Sequence, residues 1–105
     1  MERKPNYSKV YAKELATLIK AGKVDSRILD SLITKLCNGQ TLEPKYKDHA
    51  LVKSSPKQYQ GCRDFHYKGN ICVVYRLTPT TVDLLRIGSH SALNLTEVLS
   101  GDLSF

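Results

Sequence analysis

The sequence predicts an α+β domain in which an N-terminal helical hairpin packs on a small antiparallel sheet. The main observation is a change of hydrophobic period near residue 40. Before that point apolar residues recur at three- and four-residue steps, as on amphipathic helices. After it, short apolar segments are separated by turn residues, as in neighbouring strands. Helices followed by strands indicate a layered α+β arrangement, and 105 residues are the length of one small domain.

Two apolar stripes predict the two helices. The first stripe consists of Tyr7, Val10, Tyr11, Leu15, Leu18 and Ile19. It ends at residues 21–23, Ala-Gly-Lys, where the glycine favours helix termination. Asp25 or Ser26 offers an N-cap for the second helix, which ends at Asn38 and Gly39. The second stripe consists of Ile28, Leu29, Leu32, Ile33, Leu36 and Cys37. The short connection between the stripes predicts an antiparallel hairpin.

Three later segments predict the strands of an antiparallel meander: residues 59–66, 71–77 and 82–87. The middle segment is almost continuously apolar and β-branched, which is typical of a central strand covered on both faces. Turn residues at 69–70 and 78–81 separate the three segments. The short connections therefore place the strands side by side in chain order.

The remaining segments have weaker signals. An additional edge strand is compatible with residues 1–6. The polar, proline-containing residues 41–56 indicate a loop. We expect the domain to span residues 1–93. We expect residues 94–105 to be a C-terminal extension, for which two alternatives stay open: a disordered tail, or a short helix near residues 95–99 that folds over the sheet.

Charge and composition exclude several classes of protein. The chain has 16 Lys and Arg against 10 Asp and Glu, with a balance of +8 over residues 1–86 and −2 over residues 87–105. No apolar run approaches the roughly 20 residues of a membrane span, and no secretory signal is expected at the N-terminus. The odd number of cysteines (Cys37, Cys62 and Cys72), without a C-x-x-C pair, indicates reduced thiols in a cytoplasmic protein. The basic balance favours nucleic acid or an acidic protein as partner, and the alternative is that the lysines only solvate the surface.

Three histidines lie at the ends of predicted elements: His49, His66 and His90. Imidazoles among arginines suit cleavage of an RNA backbone, because one group must accept the 2′-hydroxyl proton and another must protonate the leaving 5′ oxygen. An arginine can stabilise the charge that develops on the phosphate. The histidine spacings of 17 and 24 residues match no zinc motif, so we predict neither a metal nor another cofactor. A zinc-binding domain and ordinary surface histidines stay open as alternatives.

Several short motifs, in order along the chain, resemble one toxin family. The matching runs are residues 7–15 (YSKVYAKEL), 46–51 (YKDHAL), 61–66 (GCRDFH), 74–77 (VYRL) and 85–93 (LRIGSHSAL). Together they are similar to the YafQ branch of the RelE/ParE toxin superfamily. The K-D-H, R-D-x-H and R-x-G-S-H blocks discriminate best, and the resemblance covers about residues 1–93.

The resemblance implies a RelE-like, microbial ribonuclease-like fold and a ribosome-dependent endoribonuclease that cuts messenger RNA in the ribosomal A site without metal. A small antitoxin protein would be its partner, and no membrane is involved. The family's catalytic residues map onto His49, His66, Arg86 and His90. The implied role of Arg86 is to bind the transition-state phosphate. His49 and His90 are the candidates for base and acid, in either order, and His66 orients or assists. The candidate substrate-binding residues are Lys47, Arg63 and Asn70.

Two positions differ from the family pattern and leave other functions open. Asn70 stands where the family has an acidic residue, and Ile71 where it has an aromatic one. One alternative is therefore a weakly active or inactive RelE-fold protein that binds an antitoxin or RNA. Another is a gyrase-directed toxin on the same fold, for which the three histidines have no use.

Overall fold

The structure is a computed structural model that describes residues 2–51, 59, 61–89 and 93. Two helices lie on one face of a five-stranded sheet with the strand order β1-β5-β4-β3-β2. The elements are β1 Lys4–Tyr7, α1 Lys9–Lys20, α2 Ser26–Cys37, a 3-10 helix Pro44–Tyr46, β2 His49–Ala50, β3 Arg63–Lys68, β4 Ile71–Leu77 and β5 Thr81–Ser89. The predicted α+β fold class is thereby confirmed. Within the described part of the chain, no helix has the length and apolar character required to cross a membrane.

Both helices begin where the sequence offers caps. Asp25 is the N-cap of α2 and accepts a hydrogen bond from the Arg27 amide. Ser8 caps α1, since its Oγ accepts from the Tyr11 amide at 2.9 Å. Ser8 is fully buried and also donates through Oγ to the Leu85 carbonyl at 2.8 Å. One side chain therefore starts the first helix and fixes it to β5.

The N-terminal strand differs from the rest of the sheet in direction. β1 pairs in parallel with β5, with Tyr7 opposite Leu84, while all other neighbours are antiparallel. The predicted edge strand is thus confirmed. Because β1 ends at Tyr7, no strand among the described residues pairs with β5 on this side beyond Leu84. Within the described part of the chain, the outer edge of β5 from residue 85 onward is contacted by side chains.

The predicted strands are confirmed with two corrections. β4 covers residues 71–77 as predicted, and β5 is longer than predicted at both ends. The prediction of a strand over residues 59–66 is wrong in its bounds, because the pairing with β4 begins only at Arg63 and continues to Lys68. The prediction of a plain loop over residues 41–56 is also wrong, since this segment contains the 3-10 helix and the two-residue strand β2.

Two shifts of register interrupt the antiparallel ladders around β4. In β3, His66 pairs with Cys72 and Lys68 with Ile71, so Tyr67 is an extra residue. In β5, the shift between the pairs Tyr75–Leu84 and Val74–Arg86 makes Leu85 the extra residue. Such β-bulges change which face of the sheet the following side chains occupy.

The sheet separates two apolar clusters. The larger cluster lies under the helices and includes Tyr11, Leu29, Phe65, Val73, Tyr75 and Leu84. The smaller cluster lies on the opposite side, which we call the open face, and consists of Tyr59, Cys62, Cys72, Val74, Leu85 and Leu93. All three cysteines are buried and none forms a disulfide. The predicted extension over residues 94–105, with the short helix near residues 95–99, lies outside the described residues, so the domain boundary after residue 93 stays a prediction.

A buried carboxylate ties β1, β4 and β5 together at the end of the sheet near residue 81. Asp83 accepts hydrogen bonds from Arg76 at 3.0 Å, from Thr81 at 2.8 Å and from Asn6 at 3.3 Å. Burial acts to raise the pKa of Asp83, but these hydrogen bonds and the Arg76 charge outweigh it and hold the pKa below its ordinary value. Ionised Asp83 therefore stabilises the folded chain.

We expect Asp83→Asn to lower the free energy of unfolding at pH 7 by about 1–3 kcal/mol, because the variant removes the ionised acceptor that Arg76, Thr81 and Asn6 share. A lowered folded-state pKa gives stability that is present above the unfolded pKa and is lost as pH falls through the folded value. The difference between wild type and variant should therefore shrink below about pH 4. Urea unfolding at pH 7 and at acidic pH measures both effects. Asp30→Asn, at an exposed site on α2, is the control and should change little; a constant difference across pH would contradict the ionic role.

Candidate active site

The cross-strand register places several predicted site residues in one row on the open face. His49 pairs with Asp64, Asp64 with Val74, and Val74 with Arg86. Directly paired residues in a sheet project from the same face. An imidazole, a carboxylate and a guanidinium thus come from β2, β3 and β5, and His66 lies two residues beyond Asp64 on the same face.

His49 has a defined orientation. Its Nδ1 lies 2.6 Å from the Lys47 carbonyl oxygen. Because a carbonyl only accepts, Nδ1 carries the proton and Nε2 keeps a lone pair in the neutral ring. Lys47 follows the 3-10 helix in a left-handed conformation, with φ of 50°, which aims its carbonyl at the ring. The Lys47 side chain itself is exposed.

Asp64 lies beside His49, and the sequence analysis did not select it as a site residue. Its Oδ2 is 3.7 Å from His49 Nε2, and its side chain is only 1 % exposed. The carboxylate and the ring nitrogen are therefore within ion-pair distance of each other. Asp64 was visible in the R-D-x-H block, but nothing in the block shows which face the aspartate occupies.

His66 and Cys72 lie opposite each other next to this pair. The rings of His66 and His49 have centroids 6.4 Å apart and planes inclined by 51°. Cys72 is fully buried, and burial, together with the Asp64 charge, raises the pKa of its thiol to about 12. Ligand atoms of Asp64, His66 and Cys72 all lie within 4.8 Å of one another. These three side chains could therefore hold a metal ion.

Arg86 is held tightly on the other side of the row. Its Nε and one terminal nitrogen each donate to the Glu14 carboxylate at 2.8 Å, and the other terminal nitrogen donates to the Tyr59 hydroxyl at 3.2 Å. The hydrogen bonds to Glu14 raise the pKa of Arg86, against the opposing effect of burial. Only 11 % of the arginine side chain is exposed.

Glu14 is a second residue that the sequence analysis did not select. Its carboxylate also accepts from the Ile87 amide at 3.3 Å. Glu14 therefore lies beside the outer edge of β5, beyond the point where β1 ends. In the sequence it is one of the polar residues between the apolar positions of α1, which gives no signal for such a contact.

The predicted substrate contact Arg63 lies on the other face. It pairs with Tyr75, which belongs to the cluster under the helices. Arg63 Nε donates to Asp48 at 3.3 Å and to the Tyr75 hydroxyl at 3.2 Å, while the hydroxyl donates to Asp48 at 2.5 Å. Burial and the neighbouring Asp48 carboxylate raise the pKa of Tyr75. This network fixes the residue that precedes His49.

Asn70 and Ile71 begin the hairpin that leads into β4. Asn70 is exposed and lies at the rim of a cavity of about 610 Å³. The polar part of the lining consists of Glu14, Thr17, Lys23, Asn70 and Ser89, and the apolar part includes Leu18, Ile71 and Ile87. Ile71 is buried in the cluster under the helices. His90 lies outside the described residues, so its predicted role stays a prediction.

The open face thus combines an imidazole with an available lone pair, a second imidazole, a buried carboxylate and an oriented guanidinium. Such a set can accept a proton, stabilise the resulting imidazolium and bind a phosphate. It has the groups required for transfer chemistry at a phosphodiester.

Known proteins resemble the chain over almost its whole length. Residues 3–95 match the family model described as the bacterial toxin of a type II toxin–antitoxin system, YafQ. The mRNA interferase toxin YafQ of Escherichia coli K12 is 34% identical over 94 residues, which are 89% of this chain and 97% of that protein.

Solved structures agree in fold. A copper-bound mutant toxin from Helicobacter pylori has a TM-score of 0.78 at 32% identity, over 89% of this chain and 99% of that one. YafQ in the E. coli DinJ–YafQ toxin–antitoxin complex has a TM-score of 0.74 at 34% identity, over 90% and 99% of the two chains. With the family model covering residues 3–95, the chain belongs to the YafQ family of type II toxin–antitoxin toxins.

Proposed function

We propose that this chain cleaves messenger RNA on the ribosome by proton transfer between histidines, and that a small antitoxin neutralises it. The observation that carries the proposal is the row on the open face that joins His49, Asp64 and Arg86, with His66 beside it. The mRNA interferase name of the E. coli relative supports the same substrate.

In the proposed reaction His49 is the base. Its Nε2 takes the proton of the ribose 2′-hydroxyl as the 2′ oxygen attacks phosphorus, and Asp64 stabilises the imidazolium that forms. The bond from phosphorus to the 5′ oxygen breaks, and a second imidazole gives that oxygen a proton. The resemblance leaves the order of base and acid between His49 and His90 open, so with His49 as the base the acid in this scheme is His90, and His66 assists. The product is a 2′,3′-cyclic phosphate.

Arg86 binds the phosphate in this scheme, and Glu14 positions it. Glu14 occupies the Nε edge of the guanidinium, which leaves N–H groups of the terminal nitrogens for the charge that develops on phosphorus. Tyr59 fixes the plane of the guanidinium from the other side. An oriented donor costs no reorganisation at the moment of reaction.

Charge supports the proposed partners. The balance of +8 over residues 1–86 favours association with ribosomal and messenger RNA and with an acidic antitoxin. The DinJ–YafQ complex shows that a relative at 34% identity associates with an antitoxin. Since the proposed substrate lies on the ribosome, the proposed location of the protein is the cytoplasm.

One observation favours a second candidate, a family member that binds RNA or antitoxin without cutting. Ile71 is buried under the helices and presents no aromatic face to a base, and Asn70 cannot act as a base. Primer extension on translated messenger RNA separates the two candidates, because the second predicts no new cuts with wild-type protein.

We expect His49→Ala and His66→Ala to lower the rate of cleavage in a translating extract by about 10²–10⁴-fold, the usual contribution of a general acid or base. Primer extension over time gives the rates. Lys20→Ala, at an exposed site at the end of α1, is the control and should cut at nearly the wild-type rate. Wild-type rates in both histidine variants would reject the catalytic assignment.

We expect Glu14→Gln to lower cleavage by about 10–100-fold, because a small misplacement of Arg86 is sufficient for such a loss. In an Arg86→Ala background the same substitution should cost nothing further, since it acts through the arginine. The exposed neighbour Lys13→Ala is the control. Equal losses from Glu14→Gln in both backgrounds would show that Glu14 acts independently of Arg86.

A further inference from the structure

The ring of His49 lies between two acceptors that compete for the single N–H proton of the neutral imidazole. The Lys47 carbonyl oxygen is 2.6 Å from Nδ1, and the Asp64 oxygen Oδ2 is 3.7 Å from Nε2. With its proton on Nε2, the ring would donate to Asp64, and that nitrogen could accept no proton from a substrate hydroxyl. The hydrogen bonds of the two ring nitrogens decide which tautomer is present. The shorter contact, to Lys47, therefore leaves the lone pair on Nε2.

The backbone around this contact is not held in place by local structure alone. Strand β2 consists of only two residues, His49 and Ala50, and both are exposed. Lys47 adopts the left-handed conformation with φ of 50°, which is unfavourable for a residue with a side chain. Pairing over two residues is too short to maintain such a conformation. The orientation of the Lys47 carbonyl therefore depends on contacts from elsewhere in the fold.

Such contacts come from the face of the sheet that lies under the helices, and they hold Asp48. Its Oδ1 accepts a hydrogen bond from the Tyr75 hydroxyl at 2.5 Å and another from Arg63 Nε at 3.3 Å. Arg63 Nε also donates to the Tyr75 hydroxyl at 3.2 Å, and Tyr75 is fully buried on β4. We call these three residues the anchor network. Because the Lys47 carbonyl and the Asp48 amide belong to one rigid peptide unit, an anchored Asp48 also holds that carbonyl.

We propose that the anchor network positions His49 from the opposite face of the sheet and thereby keeps the ring proton on Nδ1. Its members are positioning residues, since they act through the Lys47 carbonyl on the ring. Their effect on messenger RNA cleavage rests on the proposed function, whereas their effect on the tautomer does not. The proposal also gives Arg63 a role other than the substrate contact that the sequence predicts.

The full-length Tyr75→Phe variant tests the proposal, because it removes one hydroxyl and keeps the ring in the core. The matched control is Tyr67→Phe, which removes a buried hydroxyl of the same apolar cluster that accepts from the Asp25 amide instead. The nitrogen chemical shifts of the His49 ring report its tautomer by NMR at about pH 8, where an imidazole is ordinarily neutral. Loss of the signals in His49→Gln assigns them. We expect Nδ1–H in wild type and in Tyr67→Phe, and mainly Nε2–H in Tyr75→Phe.

Cleavage of messenger RNA on programmed ribosomes gives a second readout. We expect Tyr75→Phe to lower kcat by about tenfold or more, because the base is misplaced and has its proton on the wrong nitrogen. The KM should stay close to the wild-type value, since Arg86 keeps its contacts with Glu14. A merely structural hydroxyl would change thermal stability without moving the tautomer, which is the result expected for Tyr67→Phe.

A His49 ring with its proton on Nε2 in folded wild-type protein would overturn the proposal, and this result does not depend on whether any variant folds. An unchanged tautomer in Tyr75→Phe would overturn it as well. If Tyr75→Phe does not fold, Asp48→Ala removes the shared acceptor and should move the proton to Nε2 in the same way. A shift of the tautomer in a chain whose wild type never cleaves would reject the proposed function and leave the positioning role standing.

Discussion

Strand β4 determines the composition of the candidate active site, because both of its neighbours take their register from it. His66 faces Cys72 on one side, and Arg86 faces Val74 on the other. Each of these pairings lies next to a β-bulge, which is at Tyr67 in β3 and at Leu85 in β5. Without either bulge, the residues beyond it would change face, and the histidine, thiol and guanidinium would not share one surface.

Two contacts between charged or titratable groups determine the electrostatics of this surface. Arg86 is the cation available to a phosphate, yet Glu14 neutralises much of its charge through two hydrogen bonds of 2.8 Å. The pairing fixes the guanidinium in one plane, and in the proposed function it would limit the attraction of Arg86 for RNA in the ground state. The contact between Asp64 and His49 acts at a later stage. In the proposed reaction, the Asp64 carboxylate attracts the His49 ring after the ring has taken the proton of the 2′-hydroxyl. In the proposed reaction, both contacts would favour the transition state over the bound ground state.

The helices and the central strand could be predicted because local sequence patterns determine them. The helix stripes, the Asp25 cap and the apolar run of β4 contain their own signals, and the structure agrees with them. The two-residue strand β2 has no such signal, because two residues in a polar segment have no measurable period. Its position follows from pairing with β3, which is a tertiary contact.

The position of the Cys72 thiol opposite His66 could not be predicted either, because it depends on a register that local sequence does not determine. A regular hairpin around the turn at residues 69–70 would pair His66 with Val73 and turn Cys72 toward Tyr67. The extra residue in β3 shifts this register by one position and brings Cys72 opposite His66. Glu14 was equally hidden, because its partner lies 72 positions away along the chain.

The separation of 72 positions between Glu14 and Arg86 also affects when the proposed active site is assembled during synthesis of the chain. β1 and Ser8 dock on β5, and Glu14 meets Arg86 only after residue 86 has been made. A nascent chain cannot complete either contact before β5 has left the ribosome, and non-local contacts of this kind form late in folding. The proposed active site is therefore assembled only after β5 has been made.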